Sequence, residues 1–285
     1  MTDLEFDVLR AFLKTQSGLS LARDKRYLAE SRLRPVCESF SLESLSRLCR
    51  EIKSGTQKKL EKAVVEAMTT NETFFFRDKS PFEILENTLL PRFLKDRAET
   101  RRLRIWCAAA STGQEPYSIA MILKEAAARF SGWKIEIAAT DISLDVIEKA
   151  KTGIYNQFEV QRGLPPRLLT KYFQQHGDHW QISAEIRQMV DFGYLNLIED
   201  FSRMGQFDIV YCRNVLIYFD LDTKRDVLSR VSRAMATGGA LLMGASETVL
   251  GVSDLFSSDS SHRGLYTKAG DAAIGAPTKL LAGSM

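Results

Sequence analysis

Apolar residues recur at spacings of three and four over the first 70 positions: Leu4, Val8, Leu9, Phe12 and Leu13, then Ala29, Leu33, Val36 and Phe40, then Leu42, Leu45 and Leu48. That is the period of helices that bury one face. Ser17-Gly18 breaks the first helix, Pro35 disrupts the end of the second, and Ser54-Gly55 separates the third from the amphipathic stretch Lys58 to Met68. The punctuation predicts a small all-helical unit of four or five short helices over residues 1–70.

From about Arg101 the period changes. Short apolar runs at 103–109 (LRIWCAA), 134–140 (KIEIAAT), 207–212 (FDIVYC) and 239–244 (GALLMG) alternate with helical patterns at Tyr117 to Phe130, Asp145 to Lys151 and Thr223 to Ala236. Such alternation predicts an α/β fold, a mostly parallel sheet with helices on both faces. Residues 153–188 break the alternation: Pro165-Pro166, a helical LLTKYF and a hairpin-like QHGDHWQIS read as a small inserted subdomain. The segmentation is therefore a helical unit at 1–70, a linker at 71–80, a larger domain at 81–268, and a small-residue-rich tail at 269–285 expected to be disordered.

Composition narrows the class. In 285 residues with 45% apolar content, no apolar run reaches the length of a membrane span, and the opening MTDLEFDVLR is too charged for a secretory signal, so a cytoplasmic location without membrane insertion is expected. Cys37, Cys49, Cys107 and Cys212 lie far apart and read as reduced thiols rather than a disulfide framework or zinc site. A net charge of +3 from 39 basic and 36 acidic residues is too balanced to imply nucleic acid. Metallopeptidase, nucleophile-elbow and P-loop signatures are missing. His176, His179 and His262 read as loop or surface residues, and no metal is expected.

Four segments carry candidate chemistry. The run from Cys107 to Tyr117 (CAAASTGQEPY) passes from a strand through a small-residue turn into a helix, where a ligand can approach the backbone at the carboxyl edge of a sheet. The same pattern also suits a purely structural turn, and a nicotinamide reading lacks its glycine fingerprint. Asp141 ends the next run, where a carboxylate can accept bonds from both hydroxyls of a ribose; it also suits a helix cap. Between the helical unit and the sheet, Thr70-Asn-Glu-Thr-Phe-Phe-Phe-Arg-Asp78 has three aromatics that cannot all face one core, so some of its side chains are expected to line a cleft; a buried linker is the alternative. Phe207 to Phe219 (FDIVYCRNVLIYF) ends a buried strand in Cys-Arg-Asn, with Tyr218 one helical turn after Asn214.

In this order and spacing the four segments resemble the chemotaxis-receptor methyltransferase (CheR) family, whose hallmarks are N-x-T-x-F-F-R, AAASTGxEPYSIA, a D-I strand end and CRNVxIYF. The resemblance runs from Gly18-Leu-Ser-Leu to Tyr266. It implies an N-terminal helical domain packed over a Rossmann-like S-adenosylmethionine-dependent methyltransferase sheet that carries a small β-subdomain. It further implies a protein-glutamate O-methyltransferase that esterifies chemoreceptor glutamates for chemosensory adaptation and releases S-adenosylhomocysteine.

Carried over by position, Asn71, Thr73 and Arg77 would contact the cofactor from the linker. Glu115 would bind it in the first turn, where Gln114 replaces the second Glu of many relatives, and Asp141 would hold the ribose. Asn196 and Leu197 would lie beside the adenine, Arg213 and Asn214 would complete the site, and Arg77 and Tyr218 would be catalytic groups near the methyl. The basic stretch with Arg23, Lys25, Arg26, Arg32 and Arg34, in which Lys25 and Arg32 share one helical face, would dock the receptor's acidic cytoplasmic helical bundle; a solvated face is the plainer reading. In some relatives the β-subdomain grips a C-terminal receptor peptide through a longer loop, and the short Gln174 to Gln181 segment speaks against that tethering here. Alternatives are a methyltransferase with another substrate, a non-catalytic S-adenosylmethionine-binding regulator, and, more remotely, a nicotinamide dehydrogenase. The absence of a D/N-P-P-Y/F motif disfavours nucleobases.

Overall fold

Helix α1 (Asp3–Ser17) begins in a reciprocal cap, the Thr2 hydroxyl accepting the Glu5 N–H and the Glu5 carboxylate accepting the Thr2 N–H, and ends at Gly18. A 3-10 turn at Arg23–Lys25 leads into α2 (Arg26–Ser39), followed by α3 (Leu45–Ser54) and α4 (Lys58–Met68). The α2 helix runs four residues past Pro35, where the sequence predicts disruption. Pro35 is exposed, while Val36 and Cys37 in the following turn are buried against the other three helices, and that burial outweighs the lost backbone bond. Leu9, Leu13, Leu33, Leu48, Leu60 and Val64 form the centre of this layer.

The computed structural model describes residues 1–271. After the helical layer come α5 (Ser80–Ile84) and α6 (Leu90–Asp96), joined by a π-helical turn at Leu85–Leu89; the sequence reading assigned no element there. The sheet domain continues with β1 (Arg102–Ala108), α7 (Gln114–Glu125), β2 (Lys134–Asp141) and α8 (Leu144–Thr152). An excursion follows: β3 (Ile154–Asn156), α9 (Gln157–Gln161), α10 (Pro166–Tyr172), β4 (Phe173–His176), β5 (His179–Ile182) and α11 (Ala184–Arg187). The chain returns through β6 (Val190–Tyr194), β7 (Phe207–Cys212), α12 (Leu221–Ala234), β8 (Met235–Met243), β9 (Phe256–Ser258) and β10 (Leu265–Lys268).

The seven strands of the main sheet lie in the order β6-β2-β1-β7-β8-β10-β9, parallel from β6 to β8, with β10 and β9 added antiparallel at one edge. Every residue of β7 is buried, which is why Ile209 to Cys212 read as a continuous apolar run rather than an alternating one. From β1 the chain first builds outward to β2 and β6, and later to β7 and β8 on the other side. The crevice at the carboxyl ends of β1, β2 and β7 is thus the switch point of a doubly wound sheet.

The excursion forms its own sheet, β3-β5-β4, with the β4–β5 hairpin at the QHGDHW segment. It is tied down at Glu125, the last residue of α7, whose carboxylate accepts from Lys171 Nζ and Tyr172 Oη and also pairs with Arg167. Those donors hold the Glu125 carboxyl down at about 2. The expected disordered tail begins with ordered backbone: Ala269 N donates to Leu255 O, and the Asp271 carboxylate accepts the Gly238 N–H. Positions 272–285 of that expectation lie outside the described residues. Among the described residues no helix is long and apolar enough to cross a membrane.

The helical layer is strapped onto the sheet domain around the crevice. Lys14 Nζ pairs with Asp220 Oδ2 at 2.6 Å, Ser20 N donates to Tyr218 O at 2.8 Å, and Asn196 Nδ2 donates to Gln16 O at 2.8 Å. Glu66 accepts the Leu144 N–H at the start of α8.

Candidate active site

The crevice is an open cleft with an empty volume of about 980 Å³, its mouth and the adjoining solvent included. The ends of β1, β2 and β7 form its floor, residues 195–197 after β6 one wall, and the linker with Ser17 and Leu19 its roof. Asn71, Thr73, Arg77, Glu115, Asp141, Asn196, Leu197, Arg213, Asn214 and Tyr218 all line it, so the residues singled out from the sequence meet in one place.

Backbone strain concentrates here. Ala109 (φ 62°) and Ser111 (φ 49°) after β1, Asn214 (φ 58°) after β7, and Phe76, Asp78 and Lys79 in the linker all sit in the left-handed region. Each such non-glycine residue costs on the order of 1 kcal/mol or more and persists only where its surroundings hold it. At Ser111 the holding is visible: its N–H donates to Asp141 Oδ2 at 2.8 Å and its hydroxyl to Asn71 O at 2.9 Å. Gly113 (φ 93°) closes the same turn and lies too near Ala150 and Phe192 to carry a side chain without displacement.

Asp141 is buried, and its second oxygen accepts the Ser143 N–H at 3.0 Å. Burial pushes its carboxyl above the usual range, while those N–H groups pull the other way. The cap of α8 is Ser143, which accepts the Val146 N–H, not Asp141. The carboxylate is thus fixed in place with acceptor capacity facing the cleft.

A buried ion cluster forms the opposite side. Arg213, its side chain 1% exposed, donates through Nη1 to Glu115 Oε2 at 2.6 Å and through Nη2 to Asp78 Oδ2 and Arg77 O, both at 2.8 Å. Burial raises the Glu115 carboxyl and Arg213 opposes that shift; the guanidinium itself stays charged. Gln114 turns away, buried, its side-chain oxygen accepting from Thr112. Asn196 already donates to Gln16 and accepts the Ile198 N–H, so it joins the helical layer to the wall as well as lining it.

The linker lines the cleft through Asn71, Glu72, Thr73 and Arg77, whereas Phe74, Phe75 and Phe76 face away from it. Phe75 is fully buried, packed edge-on against Tyr155 and Phe173, and Phe74 lies under the guanidinium groups of Arg162 and Arg77, at 4.2 and 5.5 Å. One sequence expectation needs correction: no α-helical turn joins Asn214 to Tyr218, because with Asn214 left-handed only a 3-10 turn at Leu216–Tyr218 forms.

The basic residues at 23–34 lie outside the cleft lining and are not one charged face. Lys25 belongs to the 3-10 turn before α2. Arg32 is turned inward, donating to Met68 O, Thr69 O and Thr70 Oγ1, where it caps the end of α4 and steadies the linker. Arg26 pairs with Asp3 and Arg23 with Asp7, whereas Arg34 is exposed.

The donor set fits S-adenosylmethionine. The buried Asp141 and the largely shielded Glu115 suit a ligand bearing ribose hydroxyls and a cationic head, and Leu19, Ile142, Leu195 and Leu197 offer apolar contact for a flat ring. Among the described residues no group of three His, Cys, Asp or Glu side chains could hold a metal ion. Sequence reading missed Ser17 and Leu19 as lining residues, because only the docking of the helical layer brings them there, and Ile142 and Phe219, which directly follow Asp141 and Tyr218 in the sheet domain.

Residues 71–265 match the model of the CheR methyltransferase SAM binding domain, and residues 4–69 that of the CheR methyltransferase all-alpha domain. The chemotaxis protein methyltransferase of Vibrio anguillarum is 42% identical over 259 residues, 90% of this chain and 93% of that protein. Chemotaxis protein methyltransferase 1 of Vibrio cholerae is 41% identical over the same shares. That of Pseudomonas aeruginosa is 42% identical over 88% of this chain and 92% of its own length.

Proposed function

The chain belongs to the CheR methyltransferase family, and from that premise we propose that it esterifies glutamate side chains in the cytoplasmic helical bundle of a chemoreceptor, using S-adenosylmethionine and releasing S-adenosylhomocysteine. One observation carries the reading: a switch-point cleft holds two fixed carboxylates, Asp141 and Glu115, on the same lining surface as Arg77 and Tyr218. The first pair suits the donor's ribose and cationic head, and the second suits an incoming anion.

Bound S-adenosylmethionine supplies a methyl group already activated by its sulfonium. A glutamate side chain is ionised at neutral pH, so the transfer calls for alignment rather than a strong base. Asp141 takes the ribose hydroxyls, Glu115 the amino-acid end, and Asn196 with Leu197 the adenine edge. Asn71, Thr73, Arg213 and Asn214 complete the cofactor contacts. Arg77 and Tyr218 orient the glutamate carboxylate for in-line attack, and alignment of this kind can be worth about 7–11 kcal/mol in favourable intramolecular cases. The exposed charges around α2, chiefly Lys25 and Arg34, with Arg23 and Arg26 beside them, meet the acidic bundle in the cytoplasm.

Incubation with methyl-labelled S-adenosylmethionine and receptor cytoplasmic fragments tests the reading. Label released as methanol by mild alkali is expected, and a loss of about 100-fold or more in Arg77→Ala and Tyr218→Phe proteins that still bind cofactor. Alkali-stable label would point to another acceptor atom, and no transfer to any fragment would favour the non-catalytic alternative.

A further inference from the structure

We infer that Glu247, in the loop after β8, is a positioning residue that sets the backbone from Asn214 to Ile217 and through it the bearing of Asn214 and Tyr218 in the cleft. Its Oε2 accepts the N–H groups of Asn214 at 2.6 Å and Gly244 at 2.8 Å. Its Oε1 accepts those of Val215 at 3.0 Å, Leu216 at 2.8 Å and Ile217 at 3.3 Å. One carboxylate thus gathers five backbone donors from two chain segments.

The need for it follows from local geometry. β7 stops at Cys212, and the left-handed Asn214 turns the chain away from the β8 ladder, so the next N–H groups have no strand to bond. The 3-10 turn at Leu216–Tyr218 has Val215 at its cap position, with no side chain able to accept a hydrogen bond. Glu247 supplies that cap from 30 residues away, and charge-assisted bonds of this kind are stronger than a serine or asparagine cap. The approach depends on Gly244: a Cβ there would lie 2.7 Å from both Asn214 Nδ2 and Glu247 Oε2. The segment so held carries Asn214 and Val215 and is flanked by Arg213, Tyr218 and Phe219, all cleft residues, so an error in its path is an error at the reacting groups.

The kinetic part of this inference rests on the methyl-transfer reading; the structural part does not. Glu247→Gln is the informative variant, because an amide has one accepting oxygen and must turn its NH2 toward one of the two donor sets. Asp208→Asn is the control, a carboxylate at the far end of β7 that accepts the Arg104 N–H and the Arg97 guanidinium. Amide hydrogen exchange on the protein without cofactor should speed up by about tenfold or more at 214–217 in Glu247→Gln, and not in Asp208→Asn. In turnover, Glu247→Gln should lower kcat by about 10–100-fold, and adding Tyr218→Phe should cost far less than it does in the parent. Should the Gln protein not fold, Glu247→Asp, which keeps the charge at shorter reach, should show the same signs more weakly. Unchanged exchange at 214–217, the same pattern in the control, or full additivity with Tyr218→Phe overturns the assignment. If no receptor fragment is methylated by the parent, the exchange result alone decides it.

Discussion

Arg213 Nη1 lies 2.6 Å from Glu115 Oε2 in surroundings almost closed to water, with Asp78 on the same guanidinium. Removing one partner of such a pair strands the other charge, which typically costs about 3–5 kcal/mol. Arg213→Ala should lose stability on that scale in urea unfolding, and Glu115→Gln, which leaves Arg213 still facing Asp78, clearly less. A loss below about 1 kcal/mol for Arg213→Ala would place the pair among weak surface bridges.

Asp141→Asn separates binding from folding. Burial raises the Asp141 carboxyl, so its ionised form costs the protein without cofactor stability; that contribution favours folding only below the ordinary carboxyl value and is lost as pH rises through the raised one. At neutral pH relief of that cost is offset by the loss of one backbone bond, since an Asn side chain can accept from only one of the Ser111 and Ser143 N–H groups, so the variant should melt within about 5 °C of the parent, while S-adenosylhomocysteine affinity falls about 10–100-fold through loss of charged hydrogen bonds. Calorimetry and a thermal melt on the same sample check both halves.

Acid should act through other carboxylates. Glu125, Glu136 and Asp220 are each held down at about 2, the first by Lys171, Tyr172 and Arg167, the second by Lys134 and Arg102, the third by Lys14 and the Thr223 N–H. Depressed groups stabilise above their ordinary values and lose that contribution as pH falls toward the folded value, so the melting temperature should drop steadily from about pH 5 to about pH 2. Glu125→Gln should flatten that slope and loosen the inserted subdomain first, seen as faster exchange in β3–β5.

For receptor docking, Lys25→Glu with Arg34→Glu should raise KM for a receptor fragment and leave cofactor affinity unchanged. Arg32→Glu should disturb both, because Arg32 holds the carbonyls of Met68 and Thr69 at the root of the cofactor-lining linker. An unchanged KM in the double variant would remove this surface from consideration.

Asp141 and Arg213 were legible because each stands at the end of an apolar run, where a parallel sheet must present its carboxyl edge, whereas Glu115, in the first turn of α7, was singled out only through the family resemblance. The linker was legible as a cleft-lining segment from three aromatics that cannot share one core, but the roles of Asn71, Thr73 and Arg77 came only with the family resemblance; Phe74–Phe76 pack into the core or beneath arginines. Arg32 misled because helical spacing gives a face but not the direction of a long side chain. Glu247 and Leu19 carried no signal at all: one acts on backbone 30 residues away, the other reaches the cleft only when two layers meet. The π-helical turn at Leu85–Leu89 escaped because its bonding period differs from that of the pattern sought.

The decisive measurement is a calorimetric titration of the purified protein with S-adenosylmethionine and with S-adenosylhomocysteine. Saturable one-to-one binding of both, weakened together by Asp141→Asn, is expected if the switch-point cleft is the donor site. Flat isotherms for both ligands with folded parent protein would contradict it.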